Sequence, residues 1–206
     1  MKDSWKNKSV FEQQLDLNIK ELNGRHPPHW YRFINFIYAS QYNQFSLTSI
    51  LDVGCGAGAY YPLINKYFND LVDYKGCDYS EEAIALAGET WGAENFFVLD
   101  FWDLSEEIVN EYETILISAV LDVLEDGDEA LEFLLQLKPK SVCVQRMAFT
   151  DKESFSDTYE AYGIPVYKFY HNREKFNNML QQYNYKCFQF SDDKDSESYY
   201  LTKEAV

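Results

Sequence analysis

Histidine is scarce: the 206-residue chain has three, so few side chains stand ready for proton transfer near neutral pH. Proline and glycine are also few, at five and nine, which excludes collagen-like and low-complexity classes. Bases are outnumbered, with 18 Lys and Arg against 34 Asp and Glu and a net charge of −16. Binding along a phosphate backbone draws on clustered cations, so no nucleic-acid partner is expected. The four cysteines, Cys55, Cys77, Cys143 and Cys187, form no C-x-x-C pair. They read as reduced apolar fillers, with no metal. No run approaches the roughly 18 apolar residues of a membrane span. The opening MKDSWKNKSVFEQQ holds no apolar core of signal-peptide length. The expectation is a cytoplasmic protein with no membrane partner.

Core-forming material is plentiful, at 46% hydrophobic and 17% aromatic residues. No repeat, low-complexity tract or linker divides the chain. The first 45 residues read as helical: Phe11, Leu15, Ile19 and Leu22 recur at helical spacing, and Asn23-Gly24 gives a stop. Pro27-Pro28 opens a second helix with an apolar stripe of Trp30, Phe33, Ile34 and Ile37. From Thr48 the rhythm becomes strand, turn, helix. Strands are predicted at 49–53, 72–77, 95–99, 113–118 and 141–147, and helices near 60–67, 81–88, 105–110 and 128–137. Ser80 and Ser105 suit N-caps, each followed by two acids. Alternating β and α elements predict a parallel sheet with helices on both faces. The end departs from this rhythm: a helix over 172–182, then strands at 186–190 and 198–202 joined by the polar turn SDDKDSES, which makes an antiparallel hairpin.

The stretch LDVGCGAGAY at 51–60 places glycines at 54, 56 and 58 directly after an apolar run. As G-x-G-x-G it suits a nucleoside without phosphates; as Gly54-x-Gly56-x-x-Ala59 it also passes a dinucleotide fingerprint. An acid just before the glycines, Asp52, sits poorly beside a pyrophosphate and suits a cationic ligand. Asp78, in GCDYS, is placed to accept both hydroxyls of a ribose. LDFWD, at 99–103, offers a carboxylate and an aromatic face. The next predicted strand ends in ISAVLDVLED.

In order and at βα spacings, these four segments resemble the class I S-adenosylmethionine-dependent methyltransferases, over residues 48–202. The resemblance implies a Rossmann-like three-layer α/β sandwich. Its seven-stranded, mostly parallel sheet would run 3-2-1-4-5-7-6 with strand 7 antiparallel, preceded by N-terminal cap helices. The division expected is a helical cap over 1–45 and a cofactor-binding domain over 46–206. Asp52, Gly54, Cys55, Gly56 and Gly58 would lie by the methionine part of S-adenosyl-L-methionine, and Asp78 and Tyr79 by the ribose. Asp100 and Phe101 would meet the adenine, and Ser118 and Ala119 the floor beside the sulfonium.

The implied activity is methyl transfer by in-line displacement to a small-molecule acceptor, such as a sugar, surface-polysaccharide or natural-product intermediate, releasing S-adenosyl-L-homocysteine. An enzyme binding NAD, and a non-catalytic binder of S-adenosylmethionine, stand as alternatives. Candidate bases are His29, in HPPHWYRF, and His171, ahead of the last helix. Tyr31, Arg32 and Arg146 are candidate acceptor contacts, with the segment 147–164 (Phe149, Phe155, Tyr159, Tyr162) as a wall of the pocket. Monomer and homodimer stay equally open.

Overall fold

The computed structural model describes residues 5–42, 47–68, 71–193 and 196–203. The chain forms two compact units, 2–103 and 104–206.

In the first unit two helices, α1 (Lys8–Asn23) and α2 (Pro28–Tyr42), precede β1 (Ser49–Val53), α3 (Tyr60–Phe68), β2 (Asp73–Asp78), α4 (Glu81–Trp91) and β3 (Phe96–Val98). The strands run parallel in the order β3-β2-β1. Near-continuous apolar sequence in β1 fits a strand covered on both faces. The stripe on α2 behaves as its spacing predicts, with Trp30, Phe33, Ile34 and Ile37 all buried. Phe33 meets Tyr60 of α3 edge-on at 5.2 Å between ring centres. On α1 only Val10 and Phe11 of the apolar residues are buried, and Ile19 faces solvent. Asn7 caps α1 and Ser80 caps α4, the latter accepting from the Ala83 amide at 3.3 Å.

The second unit holds α5 (Glu106–Glu111), β4 (Thr114–Ser118), α6 (Gly127–Gln136), β5 (Ser141–Thr150), β6 (Phe155–Ala161), β7 (Ile164–Asn172), α7 (Arg173–Gln182), β8 (Tyr185–Asp193) and β9 (Ser196–Lys203). β4 and β5 are parallel, β9 lies antiparallel against β5, and β8 pairs β9 at the edge. The order β4-β5-β9-β8 is the 4-5-7-6 expected, with the closing hairpin in place. Its strands run further than predicted on both sides; turn residues 194–195 lie outside the described residues.

The described residues hold nine strands rather than seven. The segment 147–164, expected as a wall of the pocket, is built of strands. β5 continues to Thr150, and β6 and β7 form a hairpin whose inner strand pairs with the end of β5 through Ala148↔Tyr170 to Thr150↔Asn172. Tyr162 and Gly163 form its turn with φ of 53° and 74°, the positive pair that a two-residue hairpin requires. His171 consequently lies on β7 rather than at a helix start, and Asn172 caps α7 by accepting from the Lys175 amide at 2.7 Å. No described helix is long and apolar enough to cross a membrane.

Candidate functional site

In the first unit the carboxyl ends of the three parallel strands carry the predicted ligand residues. Gly54, Gly56 and Gly58 take φ of 75°, 52° and 76°, left-handed values that only glycine adopts without strain. A Cβ on Gly58 would lie 2.8 Å from the Phe96 ring, so this position serves packing as well. A Cβ on Gly56 would come 3.1 Å from Gln14 Oε1, which shows that α1 lies across the loop.

Four of the loop's amides are spent internally. The Gly54 and Cys55 N–H groups donate to the Cys77 carbonyl at 2.8 and 3.0 Å, and Gly58 N–H donates to the Cys55 carbonyl at 3.0 Å. Gly56 N–H donates to Asp78 Oδ2 at 3.0 Å. A pyrophosphate needs amides pointing outward, and these four point inward. Asp78, 7% exposed, also accepts from Ser80 N–H at 2.9 Å. Burial raises its pKa, the two amides counter that, and Asp100 adds to the rise. Two bonds leave a carboxylate further lone-pair directions for hydroxyl donors.

Asp52 lies wholly inside, accepting from the Tyr74 hydroxyl at 2.7 Å. Burial pushes its pKa up to about 7 despite that bond, and Asp78 contributes to the rise. A carboxylate poised at neutrality responds strongly to a cation brought beside it. Cys55 is buried, and burial holds its thiol well above the usual range, so it is no nucleophile. Tyr79 carries Lys6 Nζ over its ring at 5.6 Å. Asp100 Oδ1 accepts from Trp102 N–H at 3.1 Å. Phe101 turns inward, with the 37% exposed Trp102 set edge-on against it at 5.2 Å. Tyr74, Gln14 and Trp91 were not singled out from sequence. Tyr74 supports Asp52, Gln14 covers Gly56, and Trp91 Nε1 holds the Ala57 carbonyl at 3.0 Å. Each sits in an ordinary helix or strand, so no local signal separates it from core.

Of the two N-terminal histidines, His26, which is not among the candidates, is a satisfied interior residue, with Nδ1 2.8 Å from the Glu21 carbonyl and Nε2 2.9 Å from the Tyr67 hydroxyl. His29 lies half-buried at the first turn of α2, edge-on to Trp30 at 6.2 Å. Tyr31 is 46% exposed and Arg32 half-buried.

In the second unit Ser118 ends β4, and Ala119 follows at φ 56°, donating to the Gln145 carbonyl at 3.2 Å. Arg146 is exposed at φ 67°. His171 is wholly buried, with Nδ1 2.7 Å from Asp128 Oδ1, and Asp128 Oδ2 also meets Ser154 and Lys175. That arrangement ties β7 to α6 and α7 and keeps the ring from any exposed surface. Phe149 packs on Phe176, Tyr199 and Arg173, away from the face that carries Tyr159. Among the described residues no group of three His, Cys, Asp or Glu is arranged to hold a metal ion.

Residues 51–139 match the family described as "Methyltransferase domain". That match spans 89 of the 206 residues. The chain has the class I Rossmann-like methyltransferase fold. It is similar to a S-adenosylmethionine-dependent methyltransferase from Clostridium acetobutylicum ATCC 824, at 11% identity, with 95% of this chain and 99% of that one covered and a TM-score of 0.65. The magnesium protoporphyrin IX methyltransferase from Synechocystis PCC 6803, solved with bound SAM, shares 15% identity over 96% and 95% of the two chains, with a TM-score of 0.58. DesVI from Streptomyces venezuelae shares 12% over 86% and 93%, with a TM-score of 0.58. No curated protein sequence matches the chain. The Synechocystis protein is solved with SAM and also with SAH. The residues present here fit such a molecule: a buried carboxylate that can accept hydroxyl donors, a glycine loop whose Gly56 amide that carboxylate holds, and a second buried acid.

Proposed function

We propose that this chain transfers a methyl group from S-adenosyl-L-methionine to a small-molecule acceptor. The observation that carries this reading is the glycine loop, whose Gly54, Cys55, Gly56 and Gly58 amides are held by Cys77, Cys55 and Asp78 while Asp78 keeps lone pairs for hydroxyls. Such a loop accommodates a nucleoside and disfavours a pyrophosphate.

When bound, the cofactor supplies an electrophilic methyl group on a sulfonium. The chain then has to position, shield and take up a proton. Asp78 would accept the ribose hydroxyls, and Asp100 with Phe101 and Trp102 would border the adenine. Asp52 and the loop at Gly54, Cys55, Gly56 and Gly58 would face the cationic amino-acid end, and Tyr79 the ribose edge. Helices α1 and α2 would act as the cap over the cofactor, with Gln14 already against Gly56 and with His29, Tyr31 and Arg32 on its outer turn. The net charge of −16 supports a small acceptor rather than a nucleic acid.

The test is calorimetric titration with S-adenosyl-L-homocysteine. Micromolar affinity is expected for the wild type, at least a tenfold loss for Asp78→Ala, and no heat from NAD. Binding of NAD without the homocysteine product would overturn the reading.

A further inference from the structure

Two non-glycine residues of the second unit are held at left-handed φ beside one another: Ala119, just past β4, and Arg146, on β5. The β4–β5 register sets Ser118 against Gln145, so Arg146 stands one residue beyond the end of β4. The β5–β9 register shifts between Val144 and Met147, marking a bulge at this point. Bulges and strained backbone recur where a side chain must be re-aimed toward a ligand. In a sheet of this fold the carboxyl ends of the strands are the ligand-binding side.

The neighbouring chain completes a constellation there. Phe169 N–H, one residue before the β5–β7 ladder begins at Tyr170, donates to the Asp122 carbonyl at 2.7 Å. Asp122 is thereby docked on β7 next to Lys168. Its Oδ1 is buried and has no hydrogen-bond partner. Pairing across the hairpin puts Phe155, Asp157 and Tyr159 on the same face as Tyr170, Lys168 and Val166. Phe155 stacks on Tyr170 at 4.7 Å, and Lys168 Nζ lies 5.1 Å over the Tyr170 ring. Phe155 and Tyr159 keep 43% and 44% of their surface exposed. The charges of Asp122, Arg146 and Lys168 all act on Tyr159. Burial and Asp122 raise the Tyr159 hydroxyl, and Arg146 and Lys168 draw it down. Burial likewise lifts Asp122 to about 6 against the pull of Arg146, His171 and Lys168.

We propose that Asp122, Arg146, Tyr159 and Lys168 form the acceptor subsite, specific for a hydroxylated carboxylate that has a flat apolar face. Arg146 and Lys168 hold the carboxylate. Phe155 and Tyr159 cover the flat face, and Asp122 takes the proton. In the transfer, the acceptor's O–H bond breaks and its proton passes to the Asp122 carboxylate. The oxygen's electron pair forms the new bond to the methyl carbon as the S–CH3 pair stays with sulfur. This proposal rests on the methyltransferase reading. It departs from the His29 and His171 expectation by placing the base after β4. An aromatic hydroxy acid and a sugar acid share the required chemistry, and the probes separate them.

The experiment loads the protein with S-adenosyl-L-homocysteine, which tests the underlying reading on its own. It then titrates 4-hydroxycinnamate against its amide, and methyl glucuronide against its amide. At least one acid is expected to bind tenfold or more tightly than its neutral amide, and the one that does identifies the source. Arg146→Gln and Lys168→Met should each cut that preference about tenfold while leaving the homocysteine affinity within twofold. Asp122→Asn should keep acid binding within threefold but lose at least a hundredfold of isotopic methyl transfer to the bound acid. If the loaded protein binds neither acid at millimolar concentration, or binds acid and amide alike, the proposal falls while the cofactor reading stands. Retention of the preference in Arg146→Gln and Lys168→Met together would also overturn it.

Discussion

Asp52 is the residue whose environment most directly shapes ligand binding. Buried beside Tyr74 and raised to about 7, it is partly protonated at neutrality, and a cation placed next to it favours the ionised form. Titrations of S-adenosyl-L-methionine at pH 6.5, run in buffers of different ionisation enthalpy, should therefore show proton release on binding. Affinity should climb from about pH 6 to pH 8 and then level. Tyr74→Phe removes a bond that stabilises the carboxylate, so the climb should move to higher pH. A flat profile with no proton release would show that Asp52 does not face the cation. Asp52, Asp78 and the three glycines were all visible in sequence, because backbone conformations that need glycine leave a direct trace. Tyr74 and Gln14 were not, since a tyrosine in a strand or a glutamine on a helix looks the same whether or not it supports a ligand residue.

Among the elements, the β6–β7 hairpin is where the sequence expectation and the structure part. Its alternation in TYEAYGIPVYKFY and its Tyr162-Gly163 turn carry a strand signal, but the segment was weighed as an insert of the pocket because its neighbours follow a βα rhythm. Tertiary pairing with β5 made it sheet. The packing of this hairpin on the start of α6 can be probed at Gly127, where a Cβ would lie 2.3 Å from the Leu121 carbonyl oxygen, 2.8 Å from Phe169 and 2.9 Å from His171. Backbone cannot retreat as a side-chain tip can. Gly127→Ala is expected to destabilise by about 2 kcal/mol or more and to lower the melting temperature by several degrees in a thermal scan. An unchanged melting temperature would mean that α6 slides freely along β7.

For the whole molecule, acid sensitivity follows from one buried junction. Burial alone would raise Asp128, but the hydrogen bonds from His171, Ser154 and Lys175 outweigh it and hold it at about 2. The folded value lies below the unfolded one, so the stabilisation is present above about pH 4 and is lost as pH falls toward 2. Denaturant titrations should show wild-type stability dropping across that window, and Asp128→Asn should be less stable at pH 7 with a shallower acid limb. Equal acid limbs in the two proteins would assign the loss to other carboxylates. The chain's own order of residues determined the parallel βα pattern, the glycine loop with its flanking acids, the helix caps at Ser80 and Ser105, and the terminal hairpin. These depend on interactions between residues a few positions apart, so spacing records them. Only the tertiary structure decided that His171 is locked on Asp128, that Phe149 and Tyr159 part to different faces, and that Phe169 docks on the Asp122 carbonyl. His171 and Asp128 lie 43 positions apart in the chain, and Phe169 and Asp122 47; what joins them is the placement of β7 in the sheet, which has no local signature.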